Sequence, residues 1–377
     1  MSGQLIRRGP RTWLTRVPLG RDPDSGKRLY ANKTIHGAKR DAEQYLHAAL
    51  RERDLGTLVA TSGLTLSPYL DQWLETTRSR VRERTCRDYA AQLNRYVRPA
   101  LGSRRLEHLR PLEIQNLYAA MQARGLSART VRYVHAVLSA ALRQAVKWRL
   151  LAQSPAGFVD LPRMRRAEVR ILSGEEVTQF LAAAANDRFG LVFVVALATG
   201  MRPSEYLALS WADVDLEQGR VVVQRALAWH GKTWAFTEPK TARSRRTIPL
   251  PATAARLLRD HRRHQAAARL AAGPRYTNLD LVFATELGTP VDLRNLAQRH
   301  FKAVLKAAGL PPTIRLYDLR HSSATLLLAA GEHPKVVSER LGHATITLTL
   351  DTYSHVLPTM QQAAAVRLEQ ALFRNGA

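Results

Sequence analysis

Residues 316–355 carry a run of side chains that could act together on a phosphate. Leu316-Tyr317-Asp318-Leu319-Arg320-His321 opens the run, Leu341-Gly342-His343 follows, and Asp351-Thr352-Tyr353-Ser354-His355 closes it. A guanidinium meets phosphate oxygens two at a time. An imidazole accepts or holds a proton near neutral pH, and a phenol can form a covalent intermediate. No cysteine cluster or carboxylate pair lies close by. The combination points to attack by a tyrosine on a phosphodiester, without a metal.

The elements that must hold these residues belong to a long, strongly basic chain. It has 377 residues, enough for two or three domains with real cores. Lys and Arg number 57 against 31 Asp and Glu, a formal net charge of +26. Such an excess favours a polyanionic partner, most plausibly nucleic acid. A membrane surface is the rival, but no apolar run approaches the roughly 18 residues that a spanning helix needs. Residues 1–10 are polar and basic rather than a secretory leader. The single cysteine, Cys86, excludes an internal disulfide framework and thiolate metal clusters, and the protein reads as cytoplasmic.

Residues 1–56 read as a compact basic head. Trp13, Thr15, Val17 and Leu19 alternate with Leu14, Arg16 and Pro18, and residues 29–36 are similarly strand-like. Turn chemistry at residues 21–26 joins them, and a helix is expected over 38–53. Two or three strands plus one helix, loaded with Arg7, Arg8, Arg11, Arg16 and Lys33, suit a small DNA-binding domain. After a polar linker at 57–63, Ser67-Pro68 reads as a cap and first helical residue. Helices are expected over 67–77, 84–96, 110–123 and, after a Ser127 cap, 128–150. The last carries a stripe of Val131, Val134, Leu138, Leu142 and Val146, with Arg129 and Arg132 among the basic residues elsewhere on it. These arginines are either solvated or phosphate contacts.

Residues 154–170, with two prolines and a basic run, form the best boundary in the chain. Ser173-Gly174-Glu175-Glu176 matches a capping box. An almost wholly apolar helix over 191–199 ends at Gly200, and Arg202-Pro203-Ser204-Glu205 restarts a helix, with Arg202 beside amides that suit an anion. Residues 220–228, 233–238 and 246–250 read as one small antiparallel sheet, with Lys240 and Arg243 in the turn between its last two strands. Helices at 251–271 and 293–308, a strand at 281–285 and a tail helix over 360–373 complete the pattern. His261 and His264 lie on an arginine-rich helix and read as solvated rather than as metal ligands.

These stretches together resemble the tyrosine recombinase, or phage integrase, family over nearly the whole chain. The resemblance rests on Ala198-Thr199-Gly200-Met201-Arg202-Pro203-Ser204-Glu205, on Lys240-Thr241 before Arg245-Arg246-Thr247-Ile248-Pro249-Leu250, and on Asp318-Leu319-Arg320-His321, Leu341-Gly342-His343 and Thr352-Tyr353-Ser354-His355. Each motif alone is weak; all of them in this order are specific. The resemblance implies that Arg202 and Arg320 grip the non-bridging oxygens of a scissile phosphate and that Lys240 protonates the leaving 5′ oxygen. It also implies that His343 hydrogen-bonds the phosphate and that Tyr353 is the nucleophile of a 3′-phosphotyrosyl intermediate. Glu205 would support the site from beneath and His321 would buttress Arg320. The family most often has histidine, sometimes lysine, where this chain has Tyr317, which carries no positive charge near neutral pH.

The fold implied is multidomain and mainly α: a small N-terminal sheet-plus-helix head (1–56, arm-binding type), a helical SAM-like core-binding domain (64–153), and a mixed α+β catalytic domain of the DNA breaking-rejoining type (168–377). The function implied is a site-specific integrase of a prophage or integrative element. It would act without metal or other cofactor on double-stranded attachment sites, through a Holliday junction. Its partners would be copies of itself in a tetramer joined by the C-terminal helix, and an excision or directionality factor. A chromosome-dimer resolvase or type IB-like topoisomerase is the alternative, against which the basic head argues. A catalytically degenerate DNA-binding protein is a third reading, supported only by Tyr317.

Overall fold

A computed structural model describes residues 3–21, 26, 28–54, 63–164, 170–230, 233–238, 245–343, 345–353, 365–366, 368–369 and 372–373. The chain divides into two compact units, Met1–Arg166 and Ala167–Ala377.

In the first unit, β1 (Gln4–Gly9), β2 (Thr12–Arg21) and β3 (Arg28–His36) form an antiparallel sheet in that order. The alternation in β2 does what its period requires: Thr15 and Val17 are buried, and Val17 packs with Leu46 and Ala49 of α1 (Lys39–Asp54). A separate core belongs to α2 (Leu66–Arg78), α3 (Glu83–Gln92), the short α4 (Arg98–Leu101), α5 (Pro111–Ala123) and α6 (Ala128–Lys147). Val131, Val134, Leu138 and Leu142 are fully buried along α6, and the Ser127 hydroxyl caps that helix by accepting from the Thr130 amide at 3.2 Å. The expected Ser67 cap is not formed. Thr65 is the N-cap, and Ser67 lies inside α2, where its hydroxyl accepts from Arg98 Nη1 at 2.5 Å. The helix expected over 84–96 is interrupted by a wide-wound turn at Leu93–Val97 before α4. The linker expected at 57–63 lies outside the described residues apart from Gly63.

The second unit is built on α7 (Gly174–Ala184), α8 (Gly190–Thr199), the single-turn α9 (Pro203–Tyr206), β4 (Val214–Asp215), β5 (Arg220–Val223), β6 (Ala226–His230), β7 (Thr233–Thr237) and β8 (Arg246–Pro249). There follow α10 (Ala252–Ala272), α11 (Leu293–Asn295), α12 (Lys302–Ala307), α13 (Asp318–Ala329), α14 (Pro334–Leu341) and α15 (Ile346–Tyr353). Its main core holds Phe180, Phe193 and Phe301, whose rings lie 5.5–5.8 Å apart, and Ala324, Leu328, Val337 and Leu341 of α13 and α14 form a second, smaller cluster. The Ser173 capping box starts α7 as expected, with Ser173 and Glu176 each accepting the other's amide.

Several expected elements differ. The strand expected over 220–228 splits into β5, which pairs with β4 and β8, and β6, which pairs only with β7. The break falls at Gln224–Arg225, where Arg225 Nε donates to the Ala208 carbonyl at 2.8 Å and its guanidinium lies 4.3 Å from the Phe236 ring centre. A side chain drawn inward there turns the backbone out of one ladder and into another. Residues 281–285 form only isolated bridges, Ser210 with Leu281 and Ala284 with Pro290. The helix expected over 293–308 contains a wide-wound turn at Leu296–Phe301. His261 is not solvated: its Nε2 lies 2.7 Å from the Val282 carbonyl, beside Trp211 and Phe283, and burial holds its pKa below the ordinary histidine value. His264 is exposed. The tail helix expected over 360–373 lies largely outside the described residues; Val366, Leu368, Leu372 and Phe373 are helical and exposed.

Candidate active site

Gly200 is the hinge on which the site is built. It ends α8 with φ +64°, the left-handed conformation that glycine adopts without strain. Its missing side chain leaves room for Leu341 and Ser323, which a Cβ would meet at 2.7 and 3.4 Å. The chain then reverses into Arg202 and α9. Gly342 does the same at the end of α14, with φ +67°, and delivers His343 beside the same place.

Arg320, on the first turn of α13, is only 2% exposed. Its Nη1 donates to the Gly200 carbonyl and its Nη2 to the Leu341 carbonyl, both at 2.7 Å. Among the described residues its hydrogen-bond partners are these two carbonyls and no carboxylate. Burial first, and then the neighbouring charge of Arg202, push its pKa down to about 10, so it remains charged at neutral pH. Arg202 is less buried. Its Nη1 donates to Glu205 Oε1 at 2.7 Å and its Nη2 to the Gly342 carbonyl at 3.1 Å. Of the amides beside Arg202, its own donates to Glu205 Oε2 at 2.9 Å and that of Glu205 to the Arg202 carbonyl at 2.8 Å, so neither is free for an anion.

Glu205 lies beneath the two arginines, 4% exposed. Burial raises the pKa of its carboxyl, but the hydrogen bond and charge of Arg246, followed by the amide and charge of Arg202, outweigh that and hold it below the ordinary value. Two guanidinium groups, those of Arg202 and Arg246, therefore hydrogen-bond one carboxylate, and the charge of a third, Arg320, is felt nearby. The surplus of positive charge in a water-poor pocket favours an added anion.

His343 faces this surplus. Burial and the charges of Arg320 and Arg202 push its pKa down to about 4, so the imidazole is neutral at pH 7. Its Nδ1 lies 2.8 Å from the hydroxyl of buried Thr349 on α15. That contact ties α15, whose last residue is Tyr353, to the arginine pocket. Tyr317, at the start of α13, is 40% exposed and sets its ring edge-on to His321, centroids 5.3 Å apart. The pKa of His321 is lowered, chiefly by burial.

Arg202, Glu205, Arg320 and His343 are thus brought together, and Tyr317 and His321 share the first turn of α13 beside Arg320. Lys240 and Arg243 lie outside the described residues. Sequence reasoning gave no role to Arg246, Arg340 or Thr349. For Arg246 a signal existed: Arg245-Arg246 opens a strand, where neighbouring side chains point to opposite faces, so one arginine had to turn inward.

The basic residues of the head do not act as one set. The register puts Arg7 opposite Trp13 and Lys33 opposite Thr15, in step with buried Thr15 and Val17, and Lys33 lies 4.7 Å from the Tyr45 ring centre of α1. Arg16 points to the other face, stacked at 4.6 Å on Tyr30 and donating to Asn32 Oδ1 at 3.3 Å. Arg8 and Arg11 are exposed. On α6, Arg129 and Arg132 are exposed, and Arg132 Nη1 donates to the Pro162 carbonyl at 3.1 Å. Among the described residues no group of three His, Cys, Asp or Glu could hold a metal, and no described helix is long and apolar enough to cross a membrane.

The chain is similar, at 29% identity over 391 residues, to the tyrosine recombinase XerC-like protein of Caldanaerobacter subterraneus subsp. tengcongensis, with 98% of each chain covered. Its fold matches the Tn1549 transposon integrase solved with a circular intermediate DNA (TM-score 0.70, 22% identity, 81% of this chain and 99% of that one). It also matches the lambda integrase solved as a tetramer bound to a Holliday junction (TM-score 0.60, 20% identity, 91% and 96%). The class is that of tyrosine site-specific recombinases, enzymes that break and rejoin DNA strands. Residues 170–360 match the phage integrase family and residues 65–122 the N-terminal SAM-like domain of phage integrases, so the chain belongs to the phage integrase family. Its function is site-specific recombination that integrates a mobile element, and DNA is its partner.

Proposed function

We propose that Tyr353 is the nucleophile of this recombinase and that Arg202 and Arg320 hold the scissile phosphate. The observation that carries this reading is the burial of Arg320 with only carbonyl partners among the described residues, beside Arg202 and above a single carboxylate. A phosphate bridging the two guanidinium groups would supply the charge the pocket lacks. Tyr353 Oη attacks the phosphorus as its proton passes to solvent, forming a 3′-phosphotyrosyl bond. The bond to the 5′ oxygen breaks, and Lys240 gives that oxygen a proton. A free tyrosine has a pKa near 10, so the surrounding guanidinium groups are needed to stabilise the phenolate and the charge of the transition state. Neutral His343 keeps Nδ1 on Thr349, which leaves Nε2 for a phosphate oxygen. Glu205 fixes Arg202 from below, and His321 supports the start of α13. Tyr317 is an accessory hydrogen-bond donor. The bond energy stays in the covalent link, so rejoining needs no nucleotide cofactor.

In this reading residues 1–56 are an arm-type DNA-binding domain, 64–153 the core-binding domain and 168–377 the catalytic domain. The protein acts in the cytoplasm as a homotetramer on paired attachment sites, its C-terminal helix docked into a neighbouring copy, and an excision factor sets direction. Supporting the tetramer are the exposed Val366, Leu368, Leu372 and Phe373 of the tail.

The test is a duplex taken from the ends of the mobile element that encodes the chain, nicked near the crossover so that cleavage traps the enzyme. Wild type and Tyr317→Phe should give a denaturation-resistant protein–DNA adduct with chelator present, and Tyr353→Phe none. An adduct from Tyr353→Phe, or binding of wild type without any adduct, would refute the assignment.

A further inference from the structure

Glu205 is held by a second arginine that has no part in the reaction as proposed. Arg246, on β8, is 7% exposed at its side chain. Its Nη2 donates to Glu205 Oε2 at 2.8 Å and its Nη1 to Glu205 Oε1 at 3.3 Å. With the Arg202 amide and Arg202 Nη1 on the same two oxygens, the Glu205 carboxylate receives four donors. The fork geometry is one that only arginine provides. Arg246 Nε donates in turn to the Arg340 carbonyl at 2.6 Å, in the last turn of α14. Gly342 lies against the Arg246 guanidinium, 3.0 Å from the place of a Cβ, while its carbonyl accepts from Arg202.

The contact is reciprocal. Arg340 sends its guanidinium back, Nη2 donating to the Pro249 carbonyl at the end of β8 (3.0 Å) and to the Ala198 carbonyl near the end of α8 (2.6 Å). Three segments are thereby registered to one another: the α8–α9 reversal that carries Arg202, the strand β8, and the α14 terminus that presents His343. Arg246 joins these segments through the Glu205 carboxylate and the Arg340 carbonyl.

We infer that Arg246 is a positioning residue for strand cleavage, acting through Glu205 on Arg202 and through the end of α14 on His343. The inference rests on the proposed roles of Arg202, Arg320, His343 and Tyr353. Without Arg246, Glu205 is left buried with Arg202 alone, which draws Arg202 down toward the carboxylate and away from an incoming phosphate. The α14 terminus at the same time loses its tie to β8. Lysine restores the charge and one bond but not the fork.

The experiment uses full-length protein and the nicked duplex described above, with wild type, Arg246→Gln, Arg246→Lys, Glu205→Gln and the Glu205→Gln/Arg246→Gln double variant. Single-turnover adduct formation at saturating protein is measured beside DNA affinity and thermal unfolding. Arg246→Gln should form adduct about 10- to 100-fold more slowly, the range seen when a reacting group loses its outer partner, with DNA affinity within about threefold of wild type. Arg246→Lys should recover part of the rate. The double variant should be no slower than the slower single variant, since both changes cut the same connection. A wild-type rate for Arg246→Gln would overturn the inference. So would fully multiplicative losses in the double variant, or a loss of rate in Arg246→Gln and Arg246→Lys that only follows their loss of folded protein. An adduct that survives Tyr353→Phe would instead overturn the site assignment, and is read separately in the same assay.

Discussion

His343 is uncharged in the free protein because positive charge already fills its surroundings. Its pKa of about 4 lies below the ordinary value of 6.5, so the folded state takes up its proton later than the unfolded chain does. The stability this contributes is complete above pH 6.5 and is lost as pH falls toward 4. Histidine NMR of the free protein, assigned with His343→Gln, should therefore find this ring neutral until about pH 4, and its pKa should rise when a DNA phosphate enters. A titration near 6.5 in the free protein would contradict the pocket's electrostatics. At this scale three residues that stand inside linear motifs, Arg202, Arg320 and His343, are brought together by the fold. The sequence was silent where partners are chosen by folding. Arg246 meets Glu205 across 41 residues, and His343 meets the Thr349 hydroxyl across a turn. No spacing rule announces either pair. His261 misled for the same reason: arginine neighbours in sequence do not say which way a helix turns its histidine.

Elements with a strong period were legible before the structure. The stripe on α6, the alternation on β2, the Ser127 cap and the Ser173 box were all readable, because local physics and tertiary burial agree there. The misses fall where one side chain overrides the period. Arg225 splits a strand, and Thr65 rather than Ser67 starts α2 because Ser67 is taken by Arg98. Gly200 is the element-scale feature most exposed to test. Ala at φ +64° adds a Cβ 2.7 Å from Leu341, with no backbone freedom to escape. Gly200→Ala should cost about 1–3 kcal/mol in denaturant unfolding of the catalytic unit. It should also slow cleavage, because the reversal it distorts carries both Arg202 and the carbonyl that holds Arg320. Unchanged stability would mean the hinge relaxes more easily than its contacts suggest.

Over the whole molecule, the net charge of +26 is spread unevenly in role. Some of it is half-buried and spent on internal hydrogen bonds, as in Arg246, Arg340 and Arg98, and is not free for phosphates. Composition alone therefore pointed to the correct partner while overcounting the groups that can touch it. The exposed apolar residues of the tail are the opposite case, hydrophobic area without a described partner inside its own unit. Truncation after Pro358 should leave DNA binding to a single site but impair assembly on paired sites, as measured by mass photometry of the protein–DNA complex. Normal assembly of the truncated chain would remove the tail from the account of the tetramer.

The central claim is the identity of the nucleophile, and the most direct measurement is mass spectrometry of the trapped adduct after nuclease and trypsin digestion. Cleavage after Arg315, Arg320, Arg340 and Arg367 puts Tyr317 and Tyr353 on different peptides, residues 316–320 and 341–367. The account predicts the residual nucleotide on 341–367, at Tyr353. A nucleotide on 316–320 would make Tyr317 the nucleophile and contradict the account at its centre.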